Sequence, residues 1–244
     1  MSIRVMAAVA ALALGGCAYN ESLGRNQLLI VNDSALVTAA DAAWAEALRT
    51  QQVSRDAGQN GRVRSVGDRI VRAAGLADRS WEYAVFVSTS PNAFVLPNGK
   101  IGVTTGLLSL VQNDDQLATV LGHEVAHVVA RHAAERASSQ AAAQVGLGVV
   151  GAAAGSRGET VGNVGGLFAQ YGLLLPFSRR DELEADRLGV DYLAAAGFRP
   201  REALALWRLM AAQGGSGRPE FASTHPSDQT RIAELERYIA SRGW

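Results

Sequence analysis

Two histidines four residues apart, with a glutamate directly after the first, constrain this chain more than any other feature. The segment reads His123-Glu124-Val125-Ala126-His127. On a helix, residues four apart are offset by about 40°, so both imidazoles project from one face and can reach the same metal ion. Glu124 points about 100° away, where it can reach a water at the metal. The pattern predicts a helix on which His123 and His127 bind zinc and Glu124 activates water.

The sequence around this segment predicts a helix that follows a small sheet. Asn113 is a suitable N-cap, Gln116 completes a capping box, and the apolar spacing continues to about Ser138. Upstream, Asn98-Gly99 lies between two apolar runs, which is typical of a hairpin turn. A strand is expected over 81–89, and further helices over 34–48, 63–74, 179–196, 200–213 and from about 226. We therefore predict an α+β, mainly helical fold with a small antiparallel sheet.

A third metal ligand could come from His132, Glu182 or Glu184. His132 lies five residues after His127, about 140° from the zinc face of a continuous helix, which favours a surface position or contact with a ligand. On the predicted helix from residue 179, Glu182 and Asp186 share a face, whereas Glu184 points about 200° away from Glu182. Glu182 could bind the metal and Asp186 could accept a hydrogen bond from a ligand histidine. From the residues alone, a solvated acidic helix face remains equally open.

Several pieces of the sequence occur in the order and spacing of a known family. They are the segment 123–127 with Arg131-His132, then Ser178-Arg179 with Glu182 and Ala185-Asp186, then Thr224-His225-Pro226-Ser227 with Arg231. Over about residues 34–240 the chain resembles the HtpX/CAAX-prenyl-protease family, and most closely its soluble periplasmic branch of LoiP- and BepA-like proteases. The resemblance implies a zincin-like (gluzincin) metallopeptidase domain with one Zn²⁺ per chain. It also implies Glu182 as the third ligand, with Asp186 beside it.

The resemblance brings a further histidine, His225, to the metal site. Taken alone, His225 could be an ordinary loop residue before Pro226. In the family the matching histidine approaches the metal, where it could stabilise the oxyanion of the tetrahedral intermediate or bind zinc in a closed, inactive form. Arg231 could orient His225 or pair with a nearby acid, and a plain surface arginine remains equally open.

Substrate binding has one signal in the sequence. Asn92, Ala93 and Phe94 begin a short predicted strand just before the metal-binding helix. A sheet edge at that point could pair with an extended peptide through main-chain hydrogen bonds. Because such pairing carries little sequence preference, proteins or unfolded polypeptide segments are the expected substrates.

The N-terminus resembles the signal sequence of a bacterial lipoprotein. The apolar run 5–14 is too short to span a bilayer and leads into Leu14-Gly15-Gly16-Cys17, where Cys17 is the single cysteine of the chain. An ordinary secretory peptide or a buried helix is the alternative. We expect a signal peptide over 1–16, lipidation at Cys17, a polar tether over 17–33 and a peptidase domain over 34–244. Ala18, where Asp would signal inner-membrane retention, favours the periplasmic face of the outer membrane.

Composition excludes some functions and leaves others open. The 23 basic and 23 acidic residues balance, so no basic excess indicates a nucleic-acid partner. The oligomeric state and the conformation of the Gly- and Ala-rich segment 141–172 have no signal in the sequence. The combined pattern predicts a zinc endopeptidase acting on misfolded or outer-membrane proteins in the bacterial envelope. The alternative is a catalytically silent chaperone or assembly lipoprotein on the same scaffold.

Overall fold

The computed structural model describes residues 17–153, 177–212, 221, 225 and 229–244, with side chains given outside 144–153. The predicted signal peptide and residues 154–172 of the Gly- and Ala-rich segment lie outside this description. In chain order the elements are β1 (Cys17–Asn20), β2 (Arg25–Leu28), α1 (Asp33–Thr50), α2 (Ala57–Ala73), β3 (Glu82–Phe86), β4 (Ala93–Val95), β5 (Lys100–Thr104), α3 (Thr105–Leu110), α4 (Asp114–Val129), α5 (His132–Ala153), α6 (Arg179–Ala195), α7 (Glu202–Ala212) and α8 (Gln229–Ser241). Within these ranges, no helix has both the length and the apolar content that a membrane span requires. The mainly helical α+β class is confirmed.

The three-stranded sheet has the order β3-β5-β4 and is mixed; the predicted antiparallel pairing is confirmed for the hairpin, and β3 adds to it in the parallel sense. The predicted hairpin is present, because β4 pairs antiparallel with β5 and Gly99 turns the chain with a φ of +84°. Strand β3 pairs parallel with β5, which inserts between β3 and β4. This order leaves β4 at one edge of the sheet.

Helices α4 and α6 cross with their backbones in close contact. At the crossing, a Cβ atom built on Gly189 would lie 3.0 Å from the backbone nitrogen of His123, and one built on Gly122 would lie 3.1 Å from the Gly189 carbonyl oxygen. The largest apolar cluster surrounds this crossing and includes Leu117, Leu121 and Val125 of α4. Because both glycines lack a Cβ, the metal-binding face of α4 lies directly against α6.

The N-terminus of α4 agrees with the prediction, except in its capping box. The Asn113 side chain accepts a hydrogen bond from the Gln116 amide at 2.9 Å, as expected of an N-cap. The Gln116 side chain accepts instead from the amide of Gln112 at 3.0 Å. The two side chains also bind the carboxylate of Glu202 in α7, which draws Gln116 away from the reciprocal bond to Asn113.

Helix α4 ends at Val129, well before the predicted Ser138. Arg131 adopts a left-handed conformation with a φ of +56°, and α5 starts at the next residue. The carbonyl of Ala130 accepts the side-chain amides of Gln27 at 2.8 Å and Asn20 at 3.2 Å. These bonds satisfy a carbonyl at the helix end from outside the helix.

Those two amides belong to the segment 17–33, for which the sequence predicts a polar tether. Residues 17–28 instead form an antiparallel hairpin of β1 and β2. Gln27 is buried on the domain, and the amides of Ile30 and Val31 donate to the hydroxyl of Ser138 in α5. The segment is ordered because its polar groups form hydrogen bonds with α5, and such contacts leave no apolar periodicity in the sequence.

Candidate metal centre

Two helices and one turn bring the predicted metal-site residues together. Helix α4 supplies His123, Glu124 and His127, and α6 supplies Glu182. His225 approaches from a turn in which its amide donates to the Phe221 carbonyl at 2.8 Å. All five of these residues are buried. Four of them, His123, His127, Glu182 and His225, offer ligand atoms that all lie within 4.8 Å of one another.

The spacing of the donor atoms suits one tetrahedral ion. With zinc–ligand bonds of 2.0–2.1 Å, the edges of the tetrahedron are about 3.3 Å. The Nε2 atoms of His123 and His127 are 3.1 Å apart, and they lie 3.3 and 3.5 Å from the two Glu182 oxygens. His225 Nδ1 is 3.2 Å from His123 Nε2 and 2.9 Å from Glu182 Oε1. Nitrogen and carboxylate donors at these distances fit Zn²⁺, and the predicted ligands would occupy three corners with His225 at the fourth.

Asp186 and Arg231 hold two of these donors in place. Nδ1 of His123 lies 3.0 Å from Asp186 Oδ1, which is the contact expected of a ligand imidazole. Arg231 of α8 binds Asp186 through Nε at 2.5 Å and Nη2 at 2.7 Å, and its Nη1 lies 2.7 Å from Glu182. Its guanidinium also stacks 4.2 Å from the centre of the Trp207 ring. Arg231 is therefore buried against two acids, and its Nη1 also lies 3.5 Å from the carbonyl oxygen of His225.

The charges at the site influence one another strongly. Burial acts to lower the pKa of His123, but Glu182 and Asp186 outweigh it and raise that pKa to about 9. Burial lowers the pKa of the neighbouring His127 well below its usual range. Burial acts to raise the pKa of Glu182, yet Arg231 and His123 hold it well below the ordinary value. The low pKa of Glu182 keeps its carboxylate ionised, as a metal ligand requires.

Glu124 lies beside the donor group and faces a groove of about 950 Å³. Burial raises the pKa of Glu124, against the opposing effects of His225 and His123, and the Val95 amide also acts to lower it. Its Oε1 is 3.1 Å from Nε2 of His225. A buried carboxylate of raised pKa, close to the metal position, suits a group that takes a proton from water.

The predicted substrate residues Asn92, Ala93 and Phe94 line the same groove, but the strand register distinguishes them. Asn92 directs its main chain to Thr104, whose amide donates to the Asn92 carbonyl at 2.9 Å. The Leu96 amide likewise donates to the Lys100 carbonyl. In an antiparallel ladder the direction of the main-chain amide and carbonyl alternates, so those of Phe94 point toward β5 and those of Ala93 and Val95 point away from it. The Phe94 ring packs on Phe86 with centroids 6.1 Å apart.

The sequence predicts either a surface position or a contact with a ligand for His132, and it assigns no role to Glu184. The structure shows the contact: His132 is buried, and its Nδ1 lies 2.9 Å from Nδ1 of His127. The break at Arg131 produces this contact, because a continuous helix would carry His132 away from the metal face. Glu184 does point away from the donor group, as predicted, but it binds His132 at 3.0 Å. The five-residue spacing between His127 and His132 is the only sequence signal for this contact. It indicates the contact only when the helix is known to break at Arg131.

Cys17, the predicted lipidation site, is exposed at the start of β1. It belongs to a different element from the metal group. Lipidation at Cys17 stays a prediction.

Together, the helix pair, the sheet edge and the histidine–carboxylate group define a zincin-like metallopeptidase. The model of peptidase family M48 matches residues 57–239, and the chain belongs to this family of zinc-dependent metallopeptidases. It is 42% identical over 179 residues to the mitochondrial metalloendopeptidase OMA1 of Schizosaccharomyces pombe, covering 72% of this chain and 52% of that protein. Identity to OMA1 of Bos taurus is 31% over 234 residues, covering 88% of this chain and 45% of that protein.

A bacterial relative is also similar to this chain. The beta-barrel assembly-enhancing protease of Escherichia coli K12 is 28% identical over 180 residues, covering 70% of this chain and 37% of that protein. The chain thus spans about half or less of the length of these curated relatives. The matched region includes the whole donor group, because residues 123–225 fall inside the family match.

Proposed function

We propose that this chain is a zinc endopeptidase that cleaves extended segments of misfolded or outer-membrane proteins in the bacterial envelope. The observation that carries the proposal is the donor triangle of His123, His127 and Glu182 with buried Glu124 beside it, in a groove bordered by the β4 edge. When bound, zinc supplies Lewis-acid chemistry that polarises the scissile carbonyl and makes water a better nucleophile. Glu124 accepts the proton of that water and delivers it to the leaving amine.

The groove favours an extended polypeptide as the substrate. The ladder register points the amide and carbonyl of Ala93 away from β5; because Ala93 is buried in the described arrangement, a peptide strand would pair with them once the site opens. Side chains of α1, including Leu36 and Ala47, also line the groove. A peptide bound along β4 would thus pass close to Glu124. Folded proteins seldom offer a free extended strand, because their sheet edges are protected, and this favours unfolded or misassembled substrates.

In our proposal the described arrangement is the closed, resting form of the site. Nδ1 of His225 lies at the fourth corner of the donor group, and its Nε2 contacts Glu124. One side chain therefore takes the position of the substrate carbonyl and also blocks the proposed base. A peptide carbonyl would have to displace it. This favours a closing role for His225 over the alternative role, in which it donates a hydrogen bond to the oxyanion of the tetrahedral intermediate.

The proposed location is the periplasmic face of the outer membrane, with a lipid anchor at Cys17. Support comes from the exposure of Cys17 and from the likeness to a bacterial protease whose name refers to β-barrel assembly. Replacing Cys17 with Ser should abolish incorporation of labelled palmitate and release the protein from the membrane fraction. Labelling that persists in this variant would refute the anchor.

The decisive experiment on activity is Glu124→Gln in the full chain. The variant should retain one zinc per chain and lose cleavage of casein and of an unfolded outer-membrane protein by about 10²–10⁴-fold. Cleavage at the wild-type rate would show that Glu124 is not the base. If the wild-type chain binds zinc, cleaves neither substrate and still suppresses their aggregation, the silent chaperone is the correct alternative.

A further inference from the structure

A second histidine lies directly behind the metal ligand His127. The Nδ1 atoms of His127 and His132 are 2.9 Å apart, and Nε2 of His132 lies 3.0 Å from Oε2 of Glu184. Both imidazoles are buried, so bulk water does not compete for these contacts. A nitrogen–nitrogen contact of this length requires one ring to donate and the other to accept.

One placement of protons satisfies every group in this series. Nε2 of His127 faces the other donors and must offer a lone pair to a metal, so its Nδ1 carries the hydrogen and donates to His132. His132 then accepts at Nδ1, carries its own hydrogen on Nε2 and donates it to Glu184. The series therefore ends on a carboxylate, as the direct contact of His123 with Asp186 does.

The far end of the series is fixed by an arginine of the N-terminal hairpin. Arg25 binds Glu184 with Nε at 2.6 Å and Nη2 at 2.7 Å. Its Nη1 and Nη2 each lie 2.9 Å from an oxygen of Glu135 in α5. This double fork leaves Glu184 little freedom to rotate away from His132.

The same hairpin also holds the backbone that orients His132. Gln27 and Asn20 both donate to the carbonyl of Ala130, where α4 ends. The chain then turns at Arg131, and His132 begins α5 with its ring directed back at His127. The hairpin thus fixes both the direction of His132 and the acceptor of its proton.

We propose that Arg25 is a positioning residue of the metal centre, acting on His127 through Glu184 and His132, and that the N-terminal hairpin is a structural part of the site. The inference rests on the proposed ligation of zinc by His127. It gives each ligand histidine its own carboxylate: Asp186 directly for His123, and Glu184 through His132 for His127.

A second metal ion at His132, Asp181 and Glu184 is a competing interpretation, because their ligand atoms lie within 4.8 Å of one another. Arginines already neutralise these acids. Arg25 binds Glu184, and it lies 4.0 Å from Asp181, while Arg180 lies 3.6 Å from Asp181. Two cations at this position oppose a divalent ion.

The test is the zinc affinity of Arg25→Met in the full chain, measured by competition with a chromophoric chelator. Removing a partner behind a ligand typically weakens metal binding 10–100-fold, and we expect about a tenfold higher Kd here, at the lower end, because Arg25 is two contacts away from His127. The matched control is Arg62→Met, which removes a single ion pair to Asp114 at 2.7 Å between α2 and α4. The control should retain the wild-type Kd.

A double-mutant cycle separates positioning from a general loss of stability. The effects of Arg25→Met and His132→Gln on the zinc Kd should be non-additive, because both act on His127 through one series. Those of Arg25→Met and Asp186→Asn should be closer to additive, because Asp186 acts on His123. Additive effects in the first pair would overturn the proposal.

Folding of the metal-free protein is checked by circular dichroism. If Arg25→Met does not fold, Glu184→Gln takes its place, since it retains the size of the side chain and removes its charge. A folded variant with the wild-type Kd would overturn the positioning role alone. Failure of the wild-type chain to bind stoichiometric zinc would instead refute the ligand set of the proposed function. A second equivalent of zinc, lost in Glu184→Gln, would favour the competing metal site over the proposal.

Discussion

Nε2 of His225 lies 3.1 Å from Oε1 of Glu124, so the residue at the fourth corner of the donor group also contacts the proposed base. On its other side, the His225 ring stacks on Phe221 with centroids 4.5 Å apart. The backbone amide of Phe221 donates to the Pro91 carbonyl just before β4 at 3.3 Å. The turn that carries His225 is therefore attached to the start of the proposed substrate strand.

If His225 closes the site, its removal should activate the enzyme. In a two-state equilibrium whose open form is the minor state at about 10% or less, opening the site permanently raises activity about tenfold or more. We expect this increase in kcat/KM for His225→Ala, measured with a fluorogenic peptide at equal zinc content. A fall of about 10²–10³-fold would instead assign His225 to oxyanion stabilisation.

Arg231→Met should destabilise the metal-free protein severely, because it removes the guanidinium that neutralises the two buried carboxylates of Glu182 and Asp186. Breaking a buried ion pair on one side costs about 3–5 kcal/mol, to be measured by urea denaturation with and without zinc. Zinc should recover part of the loss, since it neutralises Glu182. The control Arg208→Met removes an exposed pair to Glu236 and should change stability by about 0.5 kcal/mol or less. Equal losses in the two variants would contradict this account of Arg231.

Gly189→Ala should separate the two helices that carry the ligands. Its Cβ would approach the His123 amide to 3.0 Å, and forcing the backbones apart costs about 1–3 kcal/mol of stability. Because Glu182 moves with α6, zinc affinity should fall as well. Gly61→Ala is the matched control, since a Cβ there meets nothing within 4 Å and helix propensity predicts a gain of about 0.5–1 kcal/mol. Unchanged stability and zinc affinity in Gly189→Ala would show that the crossing is not tightly constrained.

Ala93→Pro tests main-chain pairing at the β4 edge. Proline removes the amide that faces the groove, while proline on an edge strand leaves the bonds to β5 intact. We expect kcat/KM for a long peptide to fall on the order of tenfold from the lost hydrogen bond. Ala93→Val also adds two carbon atoms but retains the amide, so it controls for bulk. Equal losses in the two variants would argue against strand pairing.

Helix α4 and its chemistry could be predicted from the sequence because their signals are local. The spacing of His123 and His127 defines one helix face, and Asn113 begins the helix by a bond to a residue three positions on. The turn at Asn98-Gly99 is likewise local, because the positive φ at Gly99 is tolerated by that residue itself. On α6, helical periodicity alone distinguished Glu182 and Asp186 from Glu184.

Local signals do not predict the order of the strands in the sheet or the hairpin formed by residues 17–28. Whether β3 or β4 is the neighbour of β5 depends on packing across the whole domain, and the sequence pattern of a strand is the same in either case. The hairpin is held largely by polar contacts such as Arg25 to Glu184, residues 159 positions apart. Long-range polar pairs leave no periodicity in either partner.

The sequence by itself determined that His123 and His127 share a helix face with Glu124 beside them, because the geometry of one helix suffices for that. Only the tertiary structure decided where the remaining partners lie. The close crossing at Gly122 and Gly189 brings Glu182 to the two imidazoles, since no side chain separates the backbones. The break at Arg131 turns His132 onto His127, because the hairpin binds the carbonyl at which α4 ends.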